Sequence, residues 1–252
     1  MRVIFVTSSV TYVKDNYLSL FQKVFKRFKS NKDIEITALG LLQIPSQYIL
    51  KNVFGLIVLG APDVGLALFR NLISSKVNDP RVSLAEDYGI KVLKPENVNS
   101  PEARAEFASF KPDIIANIRT RNIYRDDILA LPKIACINIH HGLLPDHRGT
   151  MCDLWAWSDG RPVGFTIHKM NAKIDDGSIL FRREIPVKGV KSYVEIPQIS
   201  SQFEADGLSL CLEKFVQNPA WKGFPNSKSS LPHTRNPNYA KIQELRKKGF
   251  RL

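Results

Sequence analysis

The chain has 252 residues, 44% of them apolar and 24% charged, and this composition excludes an intrinsically disordered protein and a coiled coil. Its 36 basic residues outnumber its 24 acidic residues, and the formal net charge of +12 favours an anionic ligand or partner. Because no apolar run approaches the roughly 18 residues that span a bilayer and the N-terminus lacks a secretory signal, we expect a soluble cytoplasmic protein with no membrane partner.

The apolar pattern of the N-terminal half predicts strands and helices in alternation. A strand over 2–7 is followed by an amphipathic helix over 18–28, strands over 34–42 and 54–59, and a helix over about 66–73. A short helix over 83–88, a strand over 90–93 and a helix over about 100–110 come next, and strands follow over 113–118 and 134–139. This alternation predicts an α/β fold, a mostly parallel twisted sheet with helices on both faces and ligands at the carboxyl ends of its strands.

The C-terminal part of the chain is more basic and less regular. Residues 181–252 contain 13 basic and 6 acidic residues, a net of +7 within the total of +12. The pattern predicts a strand over 181–187, a helix over about 198–216, an irregular stretch over 217–238 and a basic helix over 241–248. We therefore expect an α/β domain over residues 1–190 and a short helical and irregular basic extension over 191–252.

The three cysteines, Cys136, Cys152 and Cys211, are far apart in the sequence and form no C-x-x-C pair. This spacing predicts neither a disulfide framework nor a thiolate zinc site. We expect three buried free thiols and no metal.

Polar side chains end the strand predicted over 134–139. Asn138 and His140 occupy alternate positions, so both side chains point to the same side of the sheet near the carboxyl end of the strand. An amide N–H can hold an oxyanion and an imidazole can carry a proton, so the pair is suited to chemistry at a carbonyl carbon. Asp175, in an Asp-Asp-Gly turn, is the candidate to orient the imidazole, although by itself an Asp in such a turn is more often structural.

Six short motifs in this region occur in a fixed order, and together they resemble the catalytic core of the enzymes that use N10-formyltetrahydrofolate to formylate an amine. That family includes methionyl-tRNA formyltransferase, glycinamide ribonucleotide formyltransferase and the sugar N-formyltransferases. The resemblance covers about 112–180 and implies a Rossmann-like formyltransferase fold. The motifs are Asn138-Ile-His140, Leu143-Leu-Pro145, Arg148-Gly149, Trp155, Gly164-Phe-Thr166-Ile-His168 and Ile174-Asp175-Asp-Gly177-Ser-Ile-Leu.

The resemblance also implies roles for individual residues. Asn138, His140 and Asp175 fall on the family's catalytic triad, and the co-substrate would be N10-formyltetrahydrofolate. The loop after the strand at 113–118 falls where the family binds the pterin ring with main-chain groups. The expected folate contacts are Arg119, Arg121, Asn122, Ile123, Tyr124, Leu144 and Pro145, and the expected acceptor contacts are Ser8, Ser9, Thr11, Lys14, His141 and Arg148.

The sequence departs from the family pattern at two places. His141-Gly142 stands where the family commonly has Ser or another small residue soon after the catalytic His, so the contacts to the acceptor are expected to differ. Asn138 also lies about thirty residues later than in the family, which implies an additional segment, most plausibly within 40–80. For His168 we expect structural support rather than ligand contact.

Three acceptors remain to be distinguished. A methionyl-tRNA formyltransferase carries a C-terminal β-barrel of about a hundred residues, and only 72 residues follow Leu180 here, without its regularly spaced strands. A glycinamide ribonucleotide enzyme needs a glycine-rich phosphate loop after its first strand, and residues 8–12 contain no glycine. We therefore expect a nucleotide-diphosphate 4-amino-4,6-dideoxy sugar, GDP-perosamine first and a dTDP-linked sugar next, used for bacterial O-antigen synthesis.

Two further expectations concern partners. Family resemblance favours a homodimer. The non-enzymatic alternative is an RNA- or nucleotide-binding protein on the same fold, but few aromatic residues interleave with the basic residues of the tail and no RNA-recognition motif occurs, so we expect no nucleic-acid partner.

Overall fold

A computed structural model describes residues 1–227 and 229–252. Its strands are β1 (Arg2–Ser8), β2 (Glu35–Leu42), β3 (Lys91–Leu93), β4 (Ile114–Ile118), β5 (Ala135–His140), β6 (Gly164–Lys169) and β7 (Ile179–Glu184). Its helices are α1 (Leu18–Phe28), α2 (Ser46–Leu59), α3 (Pro62–Val77), α4 (Pro80–Asp87), α5 (Pro101–Ser109), α6 (Asp126–Leu129), α7 (Cys152–Ser158), α8 (Glu195–Gln217) and α9 (Tyr239–Lys247). A 3-10 turn at Lys14–Tyr17 precedes α1.

The seven strands form one sheet in the order β3-β2-β1-β4-β5-β6-β7. Strands β1 to β5 pair in parallel, and β6 and β7 complete one edge in antiparallel orientation. The sheet confirms the prediction of a mostly parallel α/β fold. Its order changes direction at β1, where β2 and β4 lie on opposite sides, and ligands of such sheets bind beyond the carboxyl ends of the strands at this kind of position.

Apolar layers cover both faces of the sheet, as the alternation within β1 shows. Val3 and Phe5 belong to the larger core, which α1 and α8 cover, whereas Ile4 and Val6 belong to the smaller core on the other face. Successive residues of a strand point to opposite faces, so one apolar strand contributes to both layers. The prediction of helices on both faces is thus confirmed.

The strand predicted over 54–59 is wrong, because these residues form the last part of helix α2. A short apolar run does not distinguish a buried strand from a helix. Here Ile49 and Val53, which are four residues apart, face the core, as in a helix with one buried side. The strand order of the sheet includes no strand from this part of the chain. Helices α2 and α3 together form a helical hairpin, residues 46–77, within the interval where an additional segment was expected.

Other element boundaries shift by a few residues. Helix α3 begins at Pro62, which is favourable at the first position of a helix because proline has no N–H to leave unpaired. The final strand runs over Ile179–Glu184 rather than 181–187, because its partner β6 ends its pairing at Gly164 opposite Glu184.

The C-terminal part of the chain packs onto the sheet domain. Helix α8 lies against α1, where Arg27 makes two hydrogen bonds of 2.8 and 3.0 Å to the Glu213 carboxylate. Residues 218–227 and 229–238, which we call the C-terminal segment, then run across the carboxyl-end loops, and they pair with Gly149 through Thr234 and with Ile179 through Phe224. The segment has no helix or strand in its described residues, as predicted, and Lys228 lies outside them. The boundary at residue 190 stays a prediction.

Within residues 1–227 and 229–252, no helix has both the length and the apolar character that crossing a bilayer requires.

Candidate active site

The three residues proposed as catalytic lie together at the carboxyl end of β5. Asn138 and His140 project from alternate positions of this strand, and Asp175 approaches from the loop between β6 and β7. The His140 Nδ1 atom is 3.3 Å from Asp175 Oδ1, and the Asn138 Nδ2 atom is 3.1 Å from His168 Nε2. The structure therefore groups residues that are more than thirty positions apart in the sequence, while their roles stay a prediction.

Both ring nitrogens of His140 face acceptors. Nδ1 faces the Asp175 carboxylate, and Nε2 lies 2.6 Å from the backbone oxygen of His147, to which it donates. Burial lowers the pKa of His140, but the hydrogen bond and charge of Asp175, together with the Cys152 thiol, outweigh burial and raise the pKa well above its usual value. An imidazolium with two acceptors is the favoured state at neutral pH.

The Asp175 carboxylate is held from its backbone and from the neighbouring loop. Asp175 has a φ of +53°, in the left-handed region that non-glycine residues adopt only at a cost. Its Oδ2 atom accepts a hydrogen bond of 3.1 Å from the Gly149 N–H. Burial raises the pKa of this carboxyl, but His140 and the Gly149 N–H lower it further, to about 2, so the His140–Asp175 pair is ionised at neutral pH.

His168 is a buried neutral histidine beside this pair. Its Nδ1–H donates to its neighbour's backbone oxygen, Lys169 O, at 2.7 Å, so Nε2 is left as an acceptor for the Asn138 amide at 3.1 Å. Burial and the charge on His140 lower the pKa of His168 to about 4. Its contacts agree with the expectation of structural support, which stays a prediction.

Replacing His168 by Gln is expected to flatten the pH dependence of stability. The pKa of His168 is about 4 in the folded protein and about 6.5 in the unfolded chain. Between these two pH values the unfolded chain binds a proton on His168 and the folded protein does not, so the free energy of unfolding falls as pH drops from 6.5 to 4. This group alone accounts for a loss of about 3 kcal/mol over that window. Urea unfolding at both pH values measures it; an equal loss in the wild type and in His168→Gln would contradict the assignment.

Asn117 begins the stretch that resembles the family's folate loop, but its contact with the catalytic amide was not predicted. Its Nδ2 atom donates to Asn138 Oδ1 at 2.7 Å, which fixes the orientation of the Asn138 amide. Its own Oδ1 accepts from the hydroxyls of Thr120 and Tyr124 at 2.6 and 3.3 Å. A polar residue within the apolar sequence of β4, directly beside Asn138 in the sheet register, was the available signal.

Asn226, in the C-terminal segment, is a second residue that was missed. Its Nδ2 atom donates to the backbone oxygens of Asp175 and Gly177 at 2.9 and 3.0 Å, and its Oδ1 accepts from Arg148 Nη2 at 3.1 Å. Gly177 is required here, because a Cβ would lie 1.8 Å from Lys169 O. Asn226 thus ties the Asp175 loop to the loop that carries Arg148, and no local sequence signal indicated it.

The predicted folate loop connects with the catalytic amide. Tyr124 is buried, and its contact with Asn117 links the loop to Asn138, whereas Ile123 is 62% exposed. Asn122 accepts from the Val98 N–H at 3.2 Å, Arg121 is exposed, and Leu144 is buried next to half-buried Pro145. The folate roles of these residues stay predictions.

Arg119 and His141, predicted as a folate and an acceptor contact, meet in one buried polar cluster. Arg119 hydrogen-bonds to His141, and both approach the Asp153 carboxylate, at 3.6 and 3.5 Å. His141 Nε2 is also 3.1 Å from Glu204 Oε1. Four buried atoms of this polar cluster have no hydrogen-bond partner among the described residues: Arg119 Nη2, His141 Nδ1, Asp153 Oδ2 and Glu204 Oε2.

The remaining predicted acceptor contacts are dispersed. Ser8, Ser9 and Thr11 are buried in the loop after β1, and Lys14 is exposed beyond them. The Arg148 side chain bonds to the C-terminal segment, through Asn226 and the Ser227 backbone oxygen. Ser8 nevertheless reaches the buried polar cluster, because its hydroxyl donates to the backbone oxygen of Arg119 at 3.3 Å.

The described residues contain no group of three or more His, Cys, Asp or Glu side chains placed to hold a metal. What the arrangement offers instead is a buried ionised His–Asp pair beside an oriented amide. Such a pair can move a proton while the amide holds a developing negative charge.

Comparison with known proteins finds a match to the part of the chain that carries these residues. A family model described as formyl transferase matches residues 69–212, which include Asn138, His140 and Asp175. A methionyl-tRNA formyltransferase of Geobacter metallireducens is 36% identical over 112 residues, 44% of this chain and 36% of that protein. The matched stretch is thus little more than a third of that relative's length.

Solved structures share the fold over most of the chain. A sugar N-formyltransferase from Shewanella sp. has a TM-score of 0.58 at 19% identity, covering 93% of this chain and 76% of that one. A glycinamide ribonucleotide transformylase from Symbiobacterium toebii has a TM-score of 0.61 at 15% identity, covering 86% and 88%. At these identities the likeness shows a common fold and does not select an acceptor.

Proposed function

Because this chain belongs to the formyl transferase family, we propose that it transfers a formyl group from N10-formyltetrahydrofolate to an amine. The observation that carries the proposal is the ionised His140–Asp175 pair beside Asn138 at the carboxyl edge of the sheet. Amine formylation needs a group that accepts a proton from the attacking amine and one that supplies a proton to the departing nitrogen. One His–Asp pair serves both needs.

The proposed reaction begins when the lone pair of an uncharged amine forms a bond to the formyl carbon. The carbonyl electrons move to oxygen, and the Asn138 amide stabilises this oxyanion. The amine's proton passes through the His140–Asp175 pair to N10, the bond from carbon to N10 breaks, and tetrahydrofolate and the formamide leave. For His140 to contact the oxyanion, its Nε2–H exchanges the bond to His147 O for one to the substrate.

The loop at 119–124 fits a folate ring bound by main-chain groups. In the part of the chain that the structure describes, the N–H groups of Arg121, Asn122 and Ile123 donate to no protein acceptor. The exposed Ile123 side chain offers an apolar contact beside them. Folate bound there would lie next to Asn138, to which the loop is linked through Asn117.

For the acceptor we propose a nucleotide-linked 4-amino-4,6-dideoxy sugar, GDP-perosamine first and a dTDP-linked sugar next, as in O-antigen synthesis. The loop after β1 does not offer a phosphate cradle of the kind that glycinamide ribonucleotide would need. The Ser9 N–H already donates to Leu42 O at 2.8 Å and the Thr11 N–H to Asn16 Oδ1 at 2.7 Å. A nucleotide diphosphate, in contrast, is an anionic ligand that the formal net charge of +12 would attract.

An assay with a panel of acceptors tests the proposal. Purified protein is supplied with N10-formyltetrahydrofolate and with GDP-perosamine, a dTDP-linked 4-aminosugar, glycinamide ribonucleotide or methionyl-tRNA, and formamide formation is measured. Turnover with an aminosugar nucleotide supports the proposal. Turnover with only glycinamide ribonucleotide or methionyl-tRNA would show that the proposed aminosugar acceptor is wrong. RNA binding without turnover on any acceptor would favour the non-enzymatic alternative.

Replacing Asn226 by Ala is expected to lower kcat about 10- to 100-fold, because a catalytic group displaced by about 1 Å loses activity on this scale. Asn226 touches no reacting atom in the proposed mechanism, but it holds the backbone of Asp175 at a positive φ. Without this hold the carboxylate has more freedom and His140 loses part of the interaction that raises its pKa. We therefore also expect the basic limb of the kcat–pH profile to move to lower pH.

Ser227→Ala is the matched control for this prediction. Ser227 adjoins Asn226 and contributes its backbone oxygen, not its hydroxyl, to Arg148. The control should keep both kcat and the pH profile. An Asn226→Ala enzyme whose kcat falls with an unchanged pH profile, in step with a lower Tm, would show that Asn226 only supports the fold.

A further inference from the structure

The helical hairpin, residues 46–77, carries most of the exposed apolar surface of the molecule. Monomeric soluble proteins rarely expose a contiguous apolar patch of more than a few hundred Å², and larger patches mark contact surfaces. Ten of the 16 large apolar side chains that are exposed among the described residues lie in these two helices: Tyr48, Leu50, Phe54, Ile57, Val58, Leu59, Leu66, Phe69, Ile73 and Val77.

These side chains form one surface rather than scattered contacts. In α2 the residues Leu50, Phe54, Ile57 and Val58 follow helical spacing, with Phe54 71% and Val58 64% exposed. The apolar side chains of α3 from Leu66 to Val77 recur every three or four residues and line one face of that helix. We call these two stripes together the apolar face.

Gly65 joins the two stripes across the seam between the helices. A Cβ at Gly65 would lie 3.0 Å from Ile57 Cγ1 and 3.1 Å from the backbone oxygen of Val53. Ile57 therefore sits directly against α3, one residue away from exposed Leu66. The core-facing side of the hairpin is separate, since Val53 and Leu68 are buried. The apolar face is thus continuous over both helices on the side away from the core.

The charged groups beside the apolar face are basic. Lys51 is exposed three residues before Phe54, and Arg70 is exposed four residues after Leu66. At one end of α2, Arg121 Nη1 contacts the Tyr48 hydroxyl at 3.4 Å. At the other end, the C-terminal helix α9 places Arg246 against Gly60, where a Cβ would lie 2.7 Å from its Nη1.

The single acidic residue of the two helices is already engaged. Asp63 accepts from the Ser192 hydroxyl at 2.5 Å and pairs with Arg251 at 3.1 Å. Two copies of the apolar face brought together about a two-fold axis would therefore set basic groups against basic or apolar groups, with no free carboxylate of the hairpin to match them. An anionic surface would instead pair with all four basic residues.

We propose that the apolar face is a membrane-contact surface, by which the protein lies on an anionic lipid bilayer without crossing it. Amphipathic helices bind in this way by inserting an apolar face at the headgroup boundary while basic residues pair with anionic lipids. The proposal departs from the expectation of no membrane partner, which rested on the lack of a spanning segment, because peripheral binding needs no such segment. The proposal does not depend on the acceptor or on formyl transfer.

Vesicle co-sedimentation of the full chain tests the proposal. The wild type should bind vesicles that contain phosphatidylglycerol with phosphatidylcholine, should bind phosphatidylcholine alone much less, and should be released by salt. Phe54→Ser combined with Val58→Ser should reduce binding at least about tenfold, since each removes a large apolar side chain from the contact. Lys51→Glu combined with Arg70→Glu should reduce it on anionic vesicles while leaving the apolar face intact.

Leu210→Ser is the matched control, because Leu210 is 45% exposed on α8 and lies outside the hairpin. It should bind as the wild type does, and circular dichroism melts should show all variants folded. A wild type that binds neither vesicle, or a double Ser variant that binds normally, overturns the proposal. A dimer in light scattering that the double Ser variant breaks, without vesicle binding, would instead assign the face to self-association.

Discussion

Replacing Asp175 by Asn is expected to reduce formyl transfer by about 10³-fold or more, the scale seen when a buried carboxylate that orients a catalytic histidine is neutralised. Asn has the size of Asp but no charge, so it cannot stabilise the imidazolium of His140 across the 3.3 Å that separates them. Steady-state kinetics with the acceptor identified by the panel measure the loss. The Tm should also fall, because the ionised pair of two buried side chains is lost, but the protein should still fold since the side chain keeps its volume.

The pH profile separates a catalytic role from a structural one. In the wild type, His140 has a raised pKa and Asp175 a pKa of about 2, so the ion pair persists through neutral pH and is lost only when His140 deprotonates at higher pH or Asp175 protonates near pH 2. In Asp175→Asn, the charge that most raises the pKa of His140 is gone and only the Cys152 thiol opposes burial, so the pKa falls and the basic limb moves to lower pH.

Asp176→Asn is the control for this variant. Asp176 adjoins Asp175 but bonds to Asn171 at 3.1 Å, away from His140, so its activity and pH profile should match the wild type. Turnover within tenfold of wild type for Asp175→Asn would remove Asp175 from the proposed mechanism.

Replacing Arg81 by Met is expected to destabilise the protein by about 3–5 kcal/mol, the cost of leaving the partner of a buried ion pair uncompensated. The Arg81 side chain is fully buried and bonds to both carboxylate oxygens of Asp79, at 2.9 and 2.6 Å. Its Nη1 donates to the backbone oxygen of Ser8 at 3.0 Å, and its Nη2, which also bonds Asp79, donates to that of Ser9 at 2.6 Å. Loss of the guanidinium leaves these acceptors buried without a donor.

Equilibrium unfolding in urea measures this cost, and Arg2→Met provides the comparison. Arg2 pairs with Glu35 at 3.5 Å, but both side chains are largely exposed, so its loss should cost less than about 1 kcal/mol. If Arg81→Met costs no more than Arg2→Met, then the buried pair does not secure the loop after β1.

The strands that build the sheet could be predicted because their residues are apolar on both faces. In β1 the apolar run is short and is followed by two serines, and in β4 a short run after Pro112 is interrupted only by Asn117. The same criterion failed at 54–59, where Phe54 to Leu59 form an equally apolar run. There the run lies on a helix that has one apolar face toward the core and another toward solvent. A helix that is apolar on both sides shows no helical period in its sequence, so the run could not be distinguished from a strand.

In the candidate site, too, the features set by local sequence could be predicted, and those set by contacts between distant residues could not. That Asn138 and His140 lie together at the end of one strand could be predicted from alternation, whereas their proposed catalytic role required the resemblance. Asp175 required the resemblance, since a turn residue carries no local sign of the histidine that it will contact. Asn226 and the meeting of Arg119 with Glu204 depend on how distant parts of the chain pack, which residue spacing does not encode.

The C-terminal segment, which includes Asn226, contacts loops that precede it by many residues in the chain. Asn226 lies 51 residues after Asp175, and Thr234 lies 86 residues after Arg148, so the last quarter of the chain fastens loops that were made long before. On a ribosome, the sheet and the residues of the proposed triad emerge first, while the Asp175 loop still lacks its hydrogen bonds from Asn226. The loops that carry Asp175 and Arg148 can therefore take up these contacts only after the C-terminal segment has been made, later than the sheet from which they extend.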